Sequence, residues 1–386
     1  MKILIYSHRI GSKTITFIHN EINQLAEDQD IYLFHNIAEN HLSLSDAIKL
    51  EHISHYSPRI FLHIADVFKK ITGRYPPMDM FRKKWQSTIE NYNPDIIHLH
   101  FGTNAERVLY KNIVRDRPVF ISFHGYDASR KLNDQNYLQR LSYLFSLKNI
   151  HPIFVSHYMY NNVKKALAVN RIDNARILYY GTDLSFFERT QDNRDQKLKT
   201  FLQVSSFVPK KGHQYTLKAI REFIRNYKGD KEVRFILAGG GPLLDEIKEM
   251  SNSMGLDDII SFPGWVTKEE AREWMMKADY FIHHSIIDEN GDMEGIPNAI
   301  MEAMAMKLPI LSTLHSGIPE LVTDGVNGYL VKEKDIQSYA QRIEDILEMP
   351  LKDENREKVL KKFEIGLHKK HLIKYPIVSD AKEICN

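Results

Sequence analysis

Two glutamates, Glu294 and Glu302, flank a turn, Gly295-Ile-Pro297, that leads into a run of strong helix formers, Ala299-Ile-Met-Glu-Ala-Met-Ala-Met306. Pro297 suits the first helical position, where its missing N–H costs nothing. The amides of Asn298, Ala299 and Ile300 would then point out of the helix. Together with the positive end of the macrodipole they form an anion site suited to a diphosphate. Glu302 lies roughly 7.5 Å along that helix at about 1.5 Å per residue, while Glu294 stays in the polar loop before it. Carboxylates that bracket an anion suit hydroxyl recognition at its two ends, a sugar on one side and a ribose on the other. They do not suit a glycosidase pair, which flanks one bond at roughly 5–10 Å. The plain alternative is a capped helix with two solvated glutamates.

Other residues could serve the same anion. Val204-Ser-Ser-Phe-Val-Pro-Lys-Lys-Gly212 reads as a strand, a short basic loop and a helix start. Cations there would neutralise a diphosphate and stabilise it as a leaving group. Gly239 and Gly241, within Gly239-Gly-Gly-Pro242, permit a tight strand-to-helix turn and close backbone approach. His124 follows an apolar run and is flanked by Gly125, Tyr126 and Asp127, which places it at the end of a strand. Gly11 follows the first apolar run.

The metal reading is poor. Asp28-Gln-Asp30 lies at the end of an acidic helix, and the adjacent His283 and His284 point to opposite faces of a strand. No catalytic base is evident from spacing.

The elements that must position these residues alternate along the chain. Strand-like runs are 3–6, 31–34, 96–101, 119–123, 150–155 and 176–180, then 201–205, 233–238, 259–262, 280–284, 309–312 and 328–331. Helix-period stretches lie between several of them, such as 16–27 with Phe17, Ile18, Ile22 and Leu25 on one face. This pattern implies parallel sheets covered on both faces, with ligands beyond the carboxyl ends of the strands. The expected organisation is a domain over 1–184, a polar linker over 185–199, a second domain over 200–350, and a helical tail over 351–386 that crosses back to the first domain. Both domains are expected to be doubly wound.

The motifs resemble glycosyltransferase family 4, a retaining family of the GT-B fold. The resemblance covers nearly the whole chain and is strongest from Phe201 to Val331. It rests on Glu294-Gly-Ile-Pro, Glu302-Ala-Met-Ala-Met-Lys-Leu-Pro309 and Ser316-Gly-Ile-Pro-Glu320-Leu-Val-Thr-Asp-Gly-Val-Asn-Gly328. In the first half it rests on Thr16-Phe-Ile-His-Asn-Glu-Ile22, His98-Leu-His-Phe-Gly102 and Ser122-Phe-His-Gly-Tyr-Asp127. The branch most similar assembles bacterial exopolysaccharides, including colanic-acid-type enzymes.

The resemblance implies two Rossmann-like domains facing a central cleft and a UDP- or GDP-sugar donor. It also implies no metal or other cofactor, and retention assisted by the departing phosphate. Glu294 would contact the donor sugar and Glu302 the ribose, with Gly295 and the amides of Asn298 and Ala299 at the diphosphate. Lys211 matches the phosphate lysine, and His124 would sit beside the donor sugar, with His100 on the acceptor side. Gly11 would face donor and acceptor, and Trp265 and Val266 would border the base. Where the family usually has an arginine this chain has Ser206, so Lys210, His213 or the hydroxyls of Ser205 and Ser206 are the groups available to substitute.

Composition narrows the alternatives. Lys plus Arg number 52 against 50 Asp plus Glu, a net charge of +2, which speaks against a dedicated nucleic-acid binder. The single cysteine, Cys385, allows no intrachain disulfide, in keeping with a cytoplasmic location. No apolar run is long enough to span a bilayer. The segment 68–85 interleaves basic and aromatic residues, and could lie on the anionic inner face of a membrane, where lipid-linked glycan acceptors would be met. A dinucleotide-dependent dehydrogenase would need Gly-x-Gly-x-x-Gly after an early strand, and only Gly11 follows the first. A GT-B epimerase and a non-catalytic nucleotide-sugar binder remain as alternatives.

Overall fold

The computed structural model describes residues 1–12, 16–39, 41–52, 79–109, 114, 116–192, 194 and 197–373, with backbone alone for 79–83, 368 and 371. It divides into two compact units, the first comprising 1–154, 160–178 and 371 onward, the second 155–159 and 179–370.

The first unit is built on a seven-stranded sheet of order β3-β2-β1-β4-β5-β6-β7. Its strands are β1 (Lys2–Ile10), β2 (Asp30–Ala38), β3 (Lys49–His52), β4 (Ile96–His100), β5 (Val119–Phe123), β6 (Ile150–Phe154) and β7 (Arg176–Ile177). Every pairing is parallel; Ile3, for example, lies opposite both Ile31 and Ile96. Strands buried on both faces explain why β1, β4 and β5 read as continuous apolar runs. The helix Thr16–Leu25 packs Ile18, Ile22 and Leu25 onto Ile3, Ile5, Ile31 and Leu33. Leu372 joins this same core.

The second unit carries a six-stranded parallel sheet of order β10-β9-β8-β11-β12-β13. Its strands are β8 (Leu198–Val204), β9 (Glu232–Ala238), β10 (Ile260–Gly264), β11 (Tyr280–His283), β12 (Ile310–Thr313) and β13 (Gly328–Val331). Phe201, Phe235 and Tyr280 stack at its centre, with Leu217, Ile220 and Phe223 from the helix His213–Asn226 above them. The polar stretch after Leu184 packs on this unit. Arg189 donates to the carbonyls of Met275, Met276, Ala278 and Met306, which satisfies a guanidinium whose side chain is 4% exposed.

Strand order reverses beside β1 in the first sheet and beside β8 in the second. Each sheet is therefore doubly wound and has one crevice between diverging loops, at β1/β4 and at β8/β11. Gly11 follows β1, and Lys211 and Glu294 lie in the loops after β8 and β11; His124 follows β5, Gly239 and Gly241 follow β9, and Trp265 and Val266 follow β10. After β13 the described chain is helical, over Ile336–Ile346, Asp353–Lys362 and Ile365–Ile373. No helix among the described residues is long and apolar enough to cross a membrane.

Candidate functional site

Beyond the carboxyl end of β8 the chain passes Ser205 and Ser206 and makes one 3₁₀ turn at Pro209–Lys211. Gly212 ends the turn with φ +60°, and a Cβ there would lie 2.0 Å from the His284 carbonyl oxygen, so only glycine fits. The Ile286 amide donates to the Lys210 carbonyl at 2.9 Å. The loops after β8 and β11 are thus stitched together, and Lys211 meets Glu294 although the two lie far apart in sequence. The Lys211 ammonium pairs with Glu294 Oε1. Oε2 of the same carboxylate accepts from the Ser285 hydroxyl and from His283 Nε2, the latter at 3.0 Å. Burial holds His283 well below its usual pKa, so the ring is neutral and its one proton sits on Nε2. Burial, with the nearby Lys210 charge, lowers the Lys211 pKa to about 7, and the Asp292 charge opposes that shift. Lys210 pairs with Asp292 at 3.1 Å.

Next comes the helix Asn298–Ala305, with Pro297 as its N-cap at φ −68° and ψ 117°. The expectation of Pro297 inside the first turn is corrected by one residue, because its ψ is extended while its φ suits either place. The Ile300 amide is also corrected: it donates to the Pro297 carbonyl at 3.1 Å. No acceptor among the described residues takes the Asn298 or Ala299 amide. Asn298 Oδ1 is buried and makes no hydrogen bond. The two amides, with Gly295 just before them, are what an anionic ligand would satisfy. Glu302 is partly buried on the same helix, and burial pushes its carboxyl up to about 7.

Gly239 and Gly241 adopt φ +142° and +151°, and a Cβ at either would strike the backbone of Ser205 or Phe207. They bring the loop after β9 against the loop after β8, where the Phe207 amide donates to Gly240. Trp265 lies across Gly240 and is 47% exposed, with Val266 beside it. Ser206 is partly buried at the mouth of this turn. Of its substitutes, His213 is stacked on Phe207 at 3.9 Å, and burial lowers its pKa to about 3. It is neutral and cannot replace an arginine. Ser205 is engaged by Gln203 and His213, which leaves Lys210 and Ser206 as substitutes.

In the first unit, Gly11 directly follows β1 with φ +70°, and a Cβ there would lie 1.9 Å from the Glu39 carbonyl oxygen. His124 follows β5. The buried Asp127 carboxylate fixes this turn by accepting the amides of Gly102, His124 and Gly125 at 2.7, 2.9 and 3.1 Å. His124 Nε2 lies 3.2 Å from His100 Nδ1.

Behind them is a group the sequence reading did not single out. Glu21, His98 and His100 are buried and bring one potential ligand atom each within 4.8 Å of one another. His98-x-His100 on one strand puts both rings on one face, and that spacing was the available signal. Asp28 and Asp30 make no such group, since Asp30 pairs with Lys49 at the edge of the sheet. His283 and His284 do face opposite ways, His284 stacking on Tyr339 at 4.4 Å.

The basic segment 68–85 lies largely outside the described residues. Its last aromatic, Trp85, is fully buried against Tyr6 and Phe34, so it belongs to the core and not to a membrane-facing surface.

Residues 16–186 match the Glycosyltransferase Family 4 model, and residues 185–363 match the Glycosyl transferases group 1 model. The chain belongs to the family 4, group 1 glycosyltransferases. Among curated relatives, the putative colanic acid biosynthesis glycosyltransferase WcaL of Salmonella typhimurium is 30% identical over 258 residues, 64% of this chain and 60% of that protein. The amylovoran biosynthesis glycosyltransferase AmsK of Erwinia amylovora is 30% identical over 250 residues, again 64% and 60%. The chain therefore spans about three fifths of the length of these relatives.

Among solved structures, sucrose-phosphate synthase from Thermosynechococcus elongatus superposes with a TM-score of 0.75 at 16% identity, covering 96% of this chain and 97% of that one. Anabaena HepE in complex with UDP and glucose gives 0.71 at 16%, covering 96% and 98%. The fold is GT-B.

Proposed function

We propose that this glycosyltransferase moves a sugar, with retention at the anomeric carbon, from a UDP- or GDP-linked donor to a glycan or lipid-linked glycan in bacterial surface polysaccharide assembly. The observation that carries this reading is the convergence at β8/β11 of Lys211, Glu294 and an open helix N-terminus at Asn298 and Ala299. A nucleoside diphosphate sugar fits all three. Its diphosphate takes the two amides and draws the Lys211 ammonium, with Lys210 and Ser206 in place of the family's arginine. Glu294 then accepts hydroxyls of the sugar, and Glu302 meets the ribose, with Trp265 and Val266 beside the base. His124 of the first unit is assigned to the donor sugar on its motif.

In the reaction, the bond from the anomeric carbon to the phosphate oxygen breaks and one to the acceptor oxygen forms on the same face. The acceptor proton passes to the departing phosphate. The names of the WcaL and AmsK relatives support exopolysaccharide assembly as the setting. The basic residues of 68–84 are proposed to hold the protein at an anionic membrane surface.

The diphosphate needs no metal in this scheme. An α-linked donor should give an α-linked product, read by the anomeric coupling in NMR, and chelator should change the rate by less than about twofold, well under the loss expected for a missing charge clamp. An inverted product would overturn retention. Loss of activity on chelation would make Glu21, His98 and His100 the place to look for an ion.

Donor affinity should also depend on pH. Lys211 is depressed to about 7 before the donor binds, and the diphosphate favours its charged form. Binding then takes up a proton above that pH, so affinity should fall as pH rises from about 7, approaching tenfold per unit. Titration calorimetry in two buffers of different ionisation enthalpy would detect the proton; the absence of uptake at pH 8 would contradict the assignment.

A further inference from the structure

Glu333 and His315 take no part in the site as described, yet both reach the loop that ends in Glu294. Glu333 follows β13 and His315 follows β12, and these strands are parallel neighbours, with Thr313 opposite Val331. His315 Nδ1 lies 2.6 Å from Glu333 Oε1, and His315 Nε2 receives the Glu294 backbone N–H at 3.2 Å. A backbone amide can only donate, so Nε2 must be the bare nitrogen and Nδ1 carries the proton, which it donates to Glu333. The other oxygen of Glu333 accepts the Ile287 amide at 2.8 Å. One carboxylate thereby holds the start of the loop directly and its end through a buried histidine. Between the two anchors, Asp288 closes a turn by accepting the Asn290 and Asp292 amides.

We propose that Glu333 and His315 form a clamp that sets the position of the Glu294 backbone, and so decides how well the site holds the sugar of a donor as distinct from its nucleotide. This rests on the reading of Glu294 as the sugar contact. The nucleotide end depends on Lys211, the helix amides and Glu302, none of which the clamp touches. Burial supports the clamp: His315 is fully buried, and an unmatched Glu294 amide beside it would be costly. Glu333 is held below the usual carboxylate range: burial opposes its charge, but the bonds from His315 and Ile287 outweigh that, and the anchor stays ionised.

Two measurements on the full chain separate the clamp from the functional reading. The first needs no ligand. Hydrogen exchange of the amides over residues 287–296 should be slow in the wild type and faster in His315→Ala and in the milder Glu333→Gln, while the core strands β8 and β9 stay protected. Unchanged exchange over 287–296 in both variants overturns the clamp. The second compares binding of UDP and GDP with binding of their sugar conjugates. His315→Ala should weaken a bound nucleotide sugar about tenfold and leave the bare nucleotide within about twofold. An equal loss for both ligands would show general damage and overturn the specificity role. If the wild type binds no nucleotide sugar, the functional reading fails on that result, and the exchange experiment still decides whether the clamp exists.

Discussion

Lys211→Ala is expected to lower the rate of sugar transfer by about 10²–10³, the usual loss when one fixed donor to a developing charge is removed. The phosphate leaving group gains charge as its bond to the sugar breaks, and Lys211, in the turn after β8, is the cation proposed to face it. Gly212 and the Ile286–Lys210 bond hold that turn in place, so a shortened side chain cannot be replaced by backbone movement. The arginine usual at the position of Ser206 is missing, His213 is neutral, and the remaining substitute cation, Lys210, is already paired with Asp292. The loss should therefore fall at the upper end of the range. Lys211→Arg should recover part of the rate, since charge returns but the shape of the contact does not. Initial rates with a competent donor, and near-ultraviolet circular dichroism to confirm the fold, are the check. A loss under about fivefold would place the phosphate elsewhere.

Glu294→Gln should lower kcat/KM for the nucleotide sugar by about 10²-fold while bare nucleotide binding stays within about twofold. The carboxylate accepts from Lys211, Ser285 and His283 at once. Glutamine puts an amide N–H₂ against some of these donors, which costs more than the lost bond alone. It also leaves Lys211, whose side chain is 15% exposed, without its counter-ion. Breaking such a pair costs about 3 kcal/mol, so the melting temperature should fall as well. The separation of sugar from nucleotide affinity is the specific readout. Glu302→Gln should do the reverse and weaken UDP or GDP alone, because its contact is assigned to the ribose.

Much of this could be read in the chain. Parallel strands buried on both faces leave continuous apolar runs, and these located twelve strands close to their observed places. The one missed among the described residues, β3, is Lys-Leu-Glu-His at the edge of its sheet, where polarity is favoured and no apolar run marks it. The glycines of the second unit were legible because their backbone conformations admit little else. Pairings that form only when the sheet assembles were not. The contact between Lys211 and Glu294 exists because β8 and β11 are neighbours across the switch in strand order. Glu333 reaches His315 because β12 and β13 pair in register. Glu21 meets His98 and His100 because the helix Thr16–Leu25 packs on the sheet that contains β4. Apart from the His98-x-His100 spacing, none of these pairings has a sequence period. The same lack of assembly information made His213 look like a spare cation, when packing on Phe207 keeps it neutral.

The β8/β11 crevice is proposed to take the diphosphate of a nucleotide sugar. Titration calorimetry of the full chain with UDP, GDP and a panel of their sugar conjugates tests it most directly. At least one conjugate should bind, and it should bind more tightly than its own nucleotide in the wild type and no more tightly in Glu294→Gln. Its affinity should be lost in Lys211→Ala. A folded wild-type protein that binds none of the panel, or one whose binding survives Lys211→Ala unchanged, would contradict it.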